Sequence, residues 1–198
     1  YPQCPNTFWS FKHALKFISK KAVNVPLGII TVAALLPKEW KKKLIDMNIE
    51  LLNDKDLIWA DYVFISAMSI QLESSKQVIQ RCLFHHKKVV AGGPLFTEEF
   101  ERFPEIDHFV LNEADITLPG FIRDIESGCA NRIYRTDLFA DLKDSPIPEY
   151  SLVKLNAYAG ATIQYSRGCP FDCEFCDITA LIGHRVRTKS KSQIISEL

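Results

Sequence analysis

DYVFISAMSIQLESSKQVIQRCLFHHKKVVAGGPLF, Asp61 to Phe96, is the stretch that decides the fold. Its opening run, DYVFISA, is short and rich in the β-branched and aromatic residues that suit a pleated surface. In QLESSKQVIQRCLFHH, Leu72, Val78, Ile79 and Leu83 recur at helical spacing and give one apolar face. KKVVAGGPLF is apolar again and stops at a Gly-Gly-Pro turn. Strand, amphipathic helix, strand predicts a parallel pair joined by a helical crossover.

The rhythm continues on both sides. Upstream, KKLIDMN (42–48) reads as a short strand and DKDLIWA (54–60) as a helical turn or two. Downstream, TEEFERF reads as a short helix, IDHFVLN as a strand, and ADITLPGFIRDIESG as a helix stopped by Gly128. The expected fold class is α/β, a doubly wound, Rossmann-like parallel sheet covered on both faces. Ligands bind beyond the carboxyl ends of strands in such sheets. Those ends are Asp46-Met47-Asn48, Ser66-Ala67-Met68, Gly92-Gly93-Pro94 and Asn112-Glu113. Nearer the start, TFWSFKHALKFISKK has helical spacing at Phe11, Ala14, Leu15 and Ile18. VPLGIITVAALLPKEW, between Pro26 and Pro37, reads as a short buried helix, with a strand left open by its β-branched residues. Tyr1-Pro2 reads as the tail of an apolar strand that begins upstream, and Tyr1 is not read as the natural start.

Twenty-four basic and twenty-four acidic side chains cancel, so no global field draws in nucleic acid or an anionic membrane. No apolar run reaches the ~18–20 residues of a membrane span, and no secretory signal opens the chain. Six cysteines, three scattered and three clustered, are not a disulfide framework; they predict a reducing, cytoplasmic setting.

After residue 135 the character changes. Residues 136–157 carry prolines and little apolar periodicity and read as a connection between domain 1–135 and residues 158–198. AGATIQYSRG reads as a strand that runs into SRGCPFDCEFCDI, where Cys169, Cys173 and Cys176 are spaced C-x3-C-x2-C. A helix capped by Ser190 or Ser192 follows. Structural zinc needs a fourth ligand, for which His184 is the nearby candidate, and electron-transfer clusters take four cysteines. Three thiolates would leave one iron of a four-iron cluster open for a small molecule. Zinc held by the three cysteines and His184, in a non-catalytic binding module, stays open as the rival.

This motif, with Phe175 just before its last cysteine, resembles that of the radical S-adenosylmethionine superfamily. The resemblance implies a [4Fe-4S] cluster on Cys169, Cys173 and Cys176, S-adenosyl-L-methionine on the open iron, Phe175 near the adenine, and a 5′-deoxyadenosyl radical as product. It also implies that residues 158–198 are the first βα unit of a truncated (β/α) barrel. Residues 1–135 resemble the cobalamin-binding domain of one branch of that superfamily. The resemblance assigns cofactor contacts to Asp46, Asn48, Ser66, Ala67, Met68, Gly92, Gly93, Pro94 and Glu113. Asn48 stands where related domains carry a cobalt-ligating histidine, which implies base-off cobalamin with no histidine ligand. The implied activity is methyl transfer to an unactivated carbon or phosphorus centre. Cyclisation or rearrangement, with or without cobalamin, is the alternative. A small-molecule substrate, lipid or isoprenoid by likeness to hopanoid methylases, and an electron donor such as flavodoxin or ferredoxin complete the expectation.

Plainer roles stand beside these. Gly92-Gly93-Pro94 also suits a tight strand-to-helix turn, Ser66 a loop cap, and Asp46 and Asn48 ordinary turns. His85-His86 reads as a solvated helix end, Lys41-Lys42-Lys43 as an exposed face, and Phe8 and Trp9 as core.

Overall fold

The computed structural model describes residues 1–198, the side chain of Trp9 excepted. The N-terminal part holds α1 (Lys12–Phe17), β1 (Ala22–Asn24) and α2 (Leu27–Leu35). Phe8, expected in the core, is 80% exposed. Pro26 opens α2, where a missing N–H costs nothing, and Leu36-Pro37 ends it. The helix is apolar nearly all round because it is wedged between two apolar clusters, with Ile30 on one and Val32 and Leu35 on the other.

Next come α3 (Asp54–Trp59), β2 (Tyr62–Ser66), α4 (Leu72–Phe84), β3 (Lys88–Gly92), α5 (Pro94–Glu99), β4 (His108–Val110), α6 (Ala114–Glu126) and β5 (Ile133–Tyr134). Four strands form one parallel sheet in the order β2-β3-β4-β5, with Phe64 beside Val90, Val90 beside His108, and Phe109 beside Ile133. Strand alternation then sorts the side chains. Ile65, Val89, Ala91 and Phe109 pack with Val78, Ile79 and Cys82 of α4 and with Leu95 and Phe96 of α5. Val90 and Val110 face the other way, onto Leu118 and Phe121 of α6 and the inner side of α2. Helices therefore cover both faces, as the apolar strands require. Phe96, Phe109 and Phe121 are each 0% exposed, and burying each such ring stabilises the fold by ~1.5–3 kcal/mol.

The segment 42–48, expected as a strand, has no ladder. A strand is completed by its partner, and here the neighbouring position is an apolar cavity of about 770 Å³ between Lys41–Ile45 and Tyr62–Ile65.

In the C-terminal part, β6 (Tyr158–Gly160) pairs in parallel with β1, so the expected strand 159–168 is divided. Its second piece, β7 (Ser166–Arg167), pairs antiparallel with β8 (Arg187–Thr188), and α7 (Ile178–Ile182) lies between them in sequence. The chain closes with α8 (Lys191–Glu197), whose Ser190 cap accepts from the Gln193 N–H. Residues 136–157 are mostly irregular but not loose. Ala140, Leu142 and Ser145 are buried, and Gln193 Nε2 donates to the carbonyls of Leu142 (3.0 Å) and Lys143 (2.9 Å).

Candidate functional site

The carboxyl ends of β2, β3 and β4 open into a cavity of about 310 Å³. Ser66, Gly92, Gly93, Pro94 and Glu113 all line it, so five strand-end residues singled out in the sequence meet in one place. Leu27, Gly28 and Thr31 of α2 form the opposite wall, and Gln164, Arg167 and Ile182 of the C-terminal segment close it. Ala67 and Met68 do not line it. Ala67 is buried, its carbonyl accepting from the Leu95 N–H, while Met68 is 41% exposed.

The glycine pair has a packing reason of its own. A Cβ on Gly92 would sit 2.5 Å from the Val110 carbonyl oxygen. At Gly93 (φ 86°) it would meet Ser66 Oγ at 2.8 Å. The turn thus brings bare backbone to the cavity wall, whichever ligand it meets.

Glu113 ties the sheet to the C-terminal segment. Arg187 donates to it in two-pronged fashion, Nη2 to Oε1 at 2.6 Å and Nη1 to Oε2 at 2.8 Å. The Ala140 N–H donates at 3.0 Å, and Arg167 stands 3.3 Å away. Arg187 also donates to the carbonyls of Ala140 and Ile182 and lies over the Phe139 ring. Arg167 pairs with Asp115 at 2.6 Å. Burial alone would push the Asp115 carboxyl up; the Arg167 guanidinium outweighs it and holds the group below the usual carboxylate range. Arg167 and Arg187 are adjacent partners across the β7–β8 ladder, so both cations are fixed as one unit.

Not every polar atom here is satisfied. Asn112, held at φ 61° beside the glycine turn, leaves Oδ1 buried without a partner. Asp115 Oδ1 and the Ser145 hydroxyl lie side by side without an ideal hydrogen bond, close enough for the hydroxyl to help hold the carboxyl down. A buried acceptor without a donor costs ~1–3 kcal/mol. The cavity's volume is at the lower end for small-molecule sites and suits a nucleoside-sized group. The residues present suit a compact polar group of that size.

The cysteine loop hangs from the same place. β7 and β8 close its base, and Gly168 (φ 94°) turns the chain so tightly that a Cβ would lie 2.2 Å from the Arg185 carbonyl oxygen. The Cys169 N–H donates to Gly183 O and the Cys176 N–H to Cys173 O, both at 3.0 Å. All three thiols are free, Cys173 exposed and the other two half-buried. Among the described residues no three His, Cys, Asp or Glu side chains are grouped to hold a metal ion as they stand. The donor set itself, three thiols on one short loop, is the soft chemistry that iron–sulfur centres use. Phe175 turns its ring outward, 90% exposed, and His184 lies 3.8 Å from Asp172.

Asp46 and Asn48 stand apart from the cavity and hold the chain together. Asp46 accepts from the Asn48 N–H (2.9 Å), Asn48 Nδ2 (2.6 Å) and the Tyr158 hydroxyl (2.7 Å). Asn48 Oδ1 accepts from the Cys4 N–H at 2.8 Å. Burial and the Asp46 carboxylate together raise the Tyr158 phenol far above its ordinary value, so the hydroxyl remains a donor. The Trp9 side chain lies outside the described residues.

The whole chain aligns with an uncharacterized methyltransferase of Synechocystis at 40% identity, covering 37% of that protein. It also aligns over its full length, at 32% identity, with the hopanoid C-2 methylase of Rhodopseudomonas palustris, covering 38% of it. Over 91% of the chain it is 21% identical to the bacteriochlorophyllide d C-12(1)-methyltransferase of Chlorobaculum tepidum, covering 41%. The chain is related to methyltransferases. It spans less than two fifths of the length of the first two relatives. No family model matches it. Among the described residues no helix is long and apolar enough to cross a membrane.

Proposed function

We propose that this chain is the cofactor-binding part of a cobalamin-dependent radical S-adenosylmethionine methyltransferase acting on an unactivated carbon centre. One observation carries the reading: three free thiols on a single loop, anchored through Arg167 and Arg187 to a strand-end cavity. Alignment with named methyltransferases along the whole chain supports the reaction class. In this reading Cys169, Cys173 and Cys176 hold a [4Fe-4S] cluster that also takes S-adenosyl-L-methionine. The exposed Phe175 ring offers a flat apolar surface for the adenine. Asn112, Ser66 and the Gly92-Gly93 backbone receive the cobalamin tail. When bound, the cluster would supply the electron that cleaves S-adenosyl-L-methionine to methionine and a hydrogen-abstracting 5′-deoxyadenosyl radical, and cobalamin would supply the methyl group. The protein's own work is to fix the loop base against the sheet so that both sites keep one relative position. The hopanoid methylase among the relatives favours an apolar, isoprenoid-like small molecule as substrate.

Anaerobic reconstitution of the full-length gene product with iron, sulfide and hydroxocobalamin tests this. About four irons and one cobalt per chain are expected, the count set by one four-iron cluster and one cofactor. Cys169→Ala, Cys173→Ala and Cys176→Ala should each lose most of the iron but keep the cobalt. Iron without cobalt would remove cobalamin from the reading, and stoichiometric zinc in place of iron would overturn it.

A further inference from the structure

The zero net charge of the chain conceals an uneven distribution. Five of the twenty-four basic side chains, and none of the twenty-four acidic ones, fall in residues 1–38. Four of the five, Lys12, Lys16, Lys20 and Lys21, lie on or beside α1. Among the described residues none of these four pairs with a carboxylate. Lys20 and Lys21 donate instead to neutral carbonyls, of Asn156 at 2.9 Å and Ile49 at 3.0 Å, so their charge is not cancelled.

The apolar residues of the same segment hardly reach the core. Phe11, Ala14, Leu15 and Ile18 recur at the spacing of a face that packs inward. Yet Leu15 alone of α1 is buried. Phe11 and Ala14 are exposed, Ile18 is 56% exposed and Phe17 90%. The exposed Phe8 ring lies 6.2 Å from that of Phe11. The base of this segment is firm: the Lys20 N–H donates to Leu15 O at 2.9 Å and the Lys21 N–H to Ala157 O at 2.8 Å, beside the β1–β6 ladder. At ~1.5 Å per residue α1 is only about 9 Å long, so rings and ammonium groups share one small area. Single apolar side chains on a surface are ordinary, but three phenyl rings and an isoleucine gathered among lysines mark a contact surface.

Charge and side-chain type choose the partner. Phenyl rings and Ile18 gain by leaving water for acyl chains, while lysines on flexible stems keep their ammonium groups at the level of lipid phosphates. Residues 1–38 hold no arginine, the side chain that grips a single phosphate in two-pronged fashion. Lysines suit diffuse attraction to many phosphates at once. We infer that residues 8–21 are an interfacial anchor that seats this protein on an anionic lipid bilayer. Phe8, Phe11, Phe17 and Ile18 enter the acyl boundary, Lys12 and Lys16 meet the headgroups, and Lys20 and Lys21 add their field. The seat is peripheral, since a six-residue helix lies on a bilayer and does not cross it. It stands independently of the cofactor reading above.

Flotation of the full-length gene product with vesicles tests this. Vesicles of phosphatidylcholine and phosphatidylglycerol in about equal parts should carry the protein upward. Pure phosphatidylcholine vesicles should carry at least ~10-fold less, because each lysine near an anionic surface is worth about fivefold in partition. Raising salt to about 0.5 M should weaken the attachment by screening the lysines. Phe17→Ser/Ile18→Ser should cut binding to the anionic vesicles at least ~10-fold, and Lys12→Glu/Lys16→Glu should do the same. All four side chains are exposed, so both variants must keep the parent's urea midpoint and its iron and cobalt content. That separates loss of the seat from a fault in the fold or in the cofactor sites. Failure of the unaltered protein to bind, the sign that another part of the polypeptide covers the patch, would overturn the inference. So would equal binding to neutral vesicles, or binding that survives either pair of substitutions.

Discussion

Arg187 is the residue on which the candidate site turns. Its side chain is 12% exposed and meets a Glu113 side chain that is 4% exposed, so each charge depends on the other for the solvation it has lost. Truncating one partner of such a pair leaves an uncompensated buried charge and costs ~3–5 kcal/mol. Arg187→Met is therefore expected to lower the unfolding free energy by about that amount in urea titrations, and Glu113→Gln by a similar amount. The double variant Arg187→Met/Glu113→Leu should recover most of the loss. Asp115 gives the matching pH signature. Its folded-state value is depressed, so its contribution is fully present above the unfolded carboxylate value of ~3.9 and is lost as pH falls through the lower folded value. Stability measured from pH 6 down to about 2 should fall steeply below pH ~4, and Asp115→Asn should flatten that limb.

At the scale of elements, the cysteine loop is shaped by its base more than by its own residues. Gly168→Ala forces a Cβ onto the Arg185 carbonyl at a backbone angle that costs a non-glycine residue ~1–3 kcal/mol. Iron retention after desalting should drop with little change in the protection of β3. That outcome separates a fault in the loop base from one in the sheet. The elements themselves differ in how plainly the sequence announces them. α4 and α6 are long and strongly periodic, β2 and β3 are compact apolar runs between turn signals, and the apolar residues of all four are the ones that pack. β5 escapes notice because two residues, Ile133 and Tyr134, carry no period. Segment 42–48 has strand chemistry but no ladder, because pairing is a property of two segments. The site is legible in part for the same reason. Strand-end order brings Ser66, Gly92, Gly93 and Glu113 to one cavity, since topology follows from periodicity. The arginines that engage Glu113 come from 54 and 74 residues later, and Tyr158 reaches Asp46 from 112 residues away. No local pattern encodes those meetings. Asn112, the orphaned acceptor, is marked in sequence only as the neighbour of Glu113.

For the molecule as a whole, the ties across residues 136–157 make the two ends interdependent. Leu142 is 0% exposed, Tyr158 3%, and β6 is paired to β1, so neither part keeps its contacts without the other. Thermal unfolding should be a single transition by both far-UV and aromatic signals, and limited proteolysis should not release a stable 1–135 fragment. The ionic hub beside the cavity has one more consequence. Its two carboxylates and two guanidinium groups cancel, in a chain whose formal net charge is +0. A guest approaching that mouth meets no net charge from the hub, so dissolved ions have little of the hub's field to screen. Its capture rate should stay level from dilute buffer to molar salt, so recognition there rests on shape and hydrogen bonding rather than on long-range attraction.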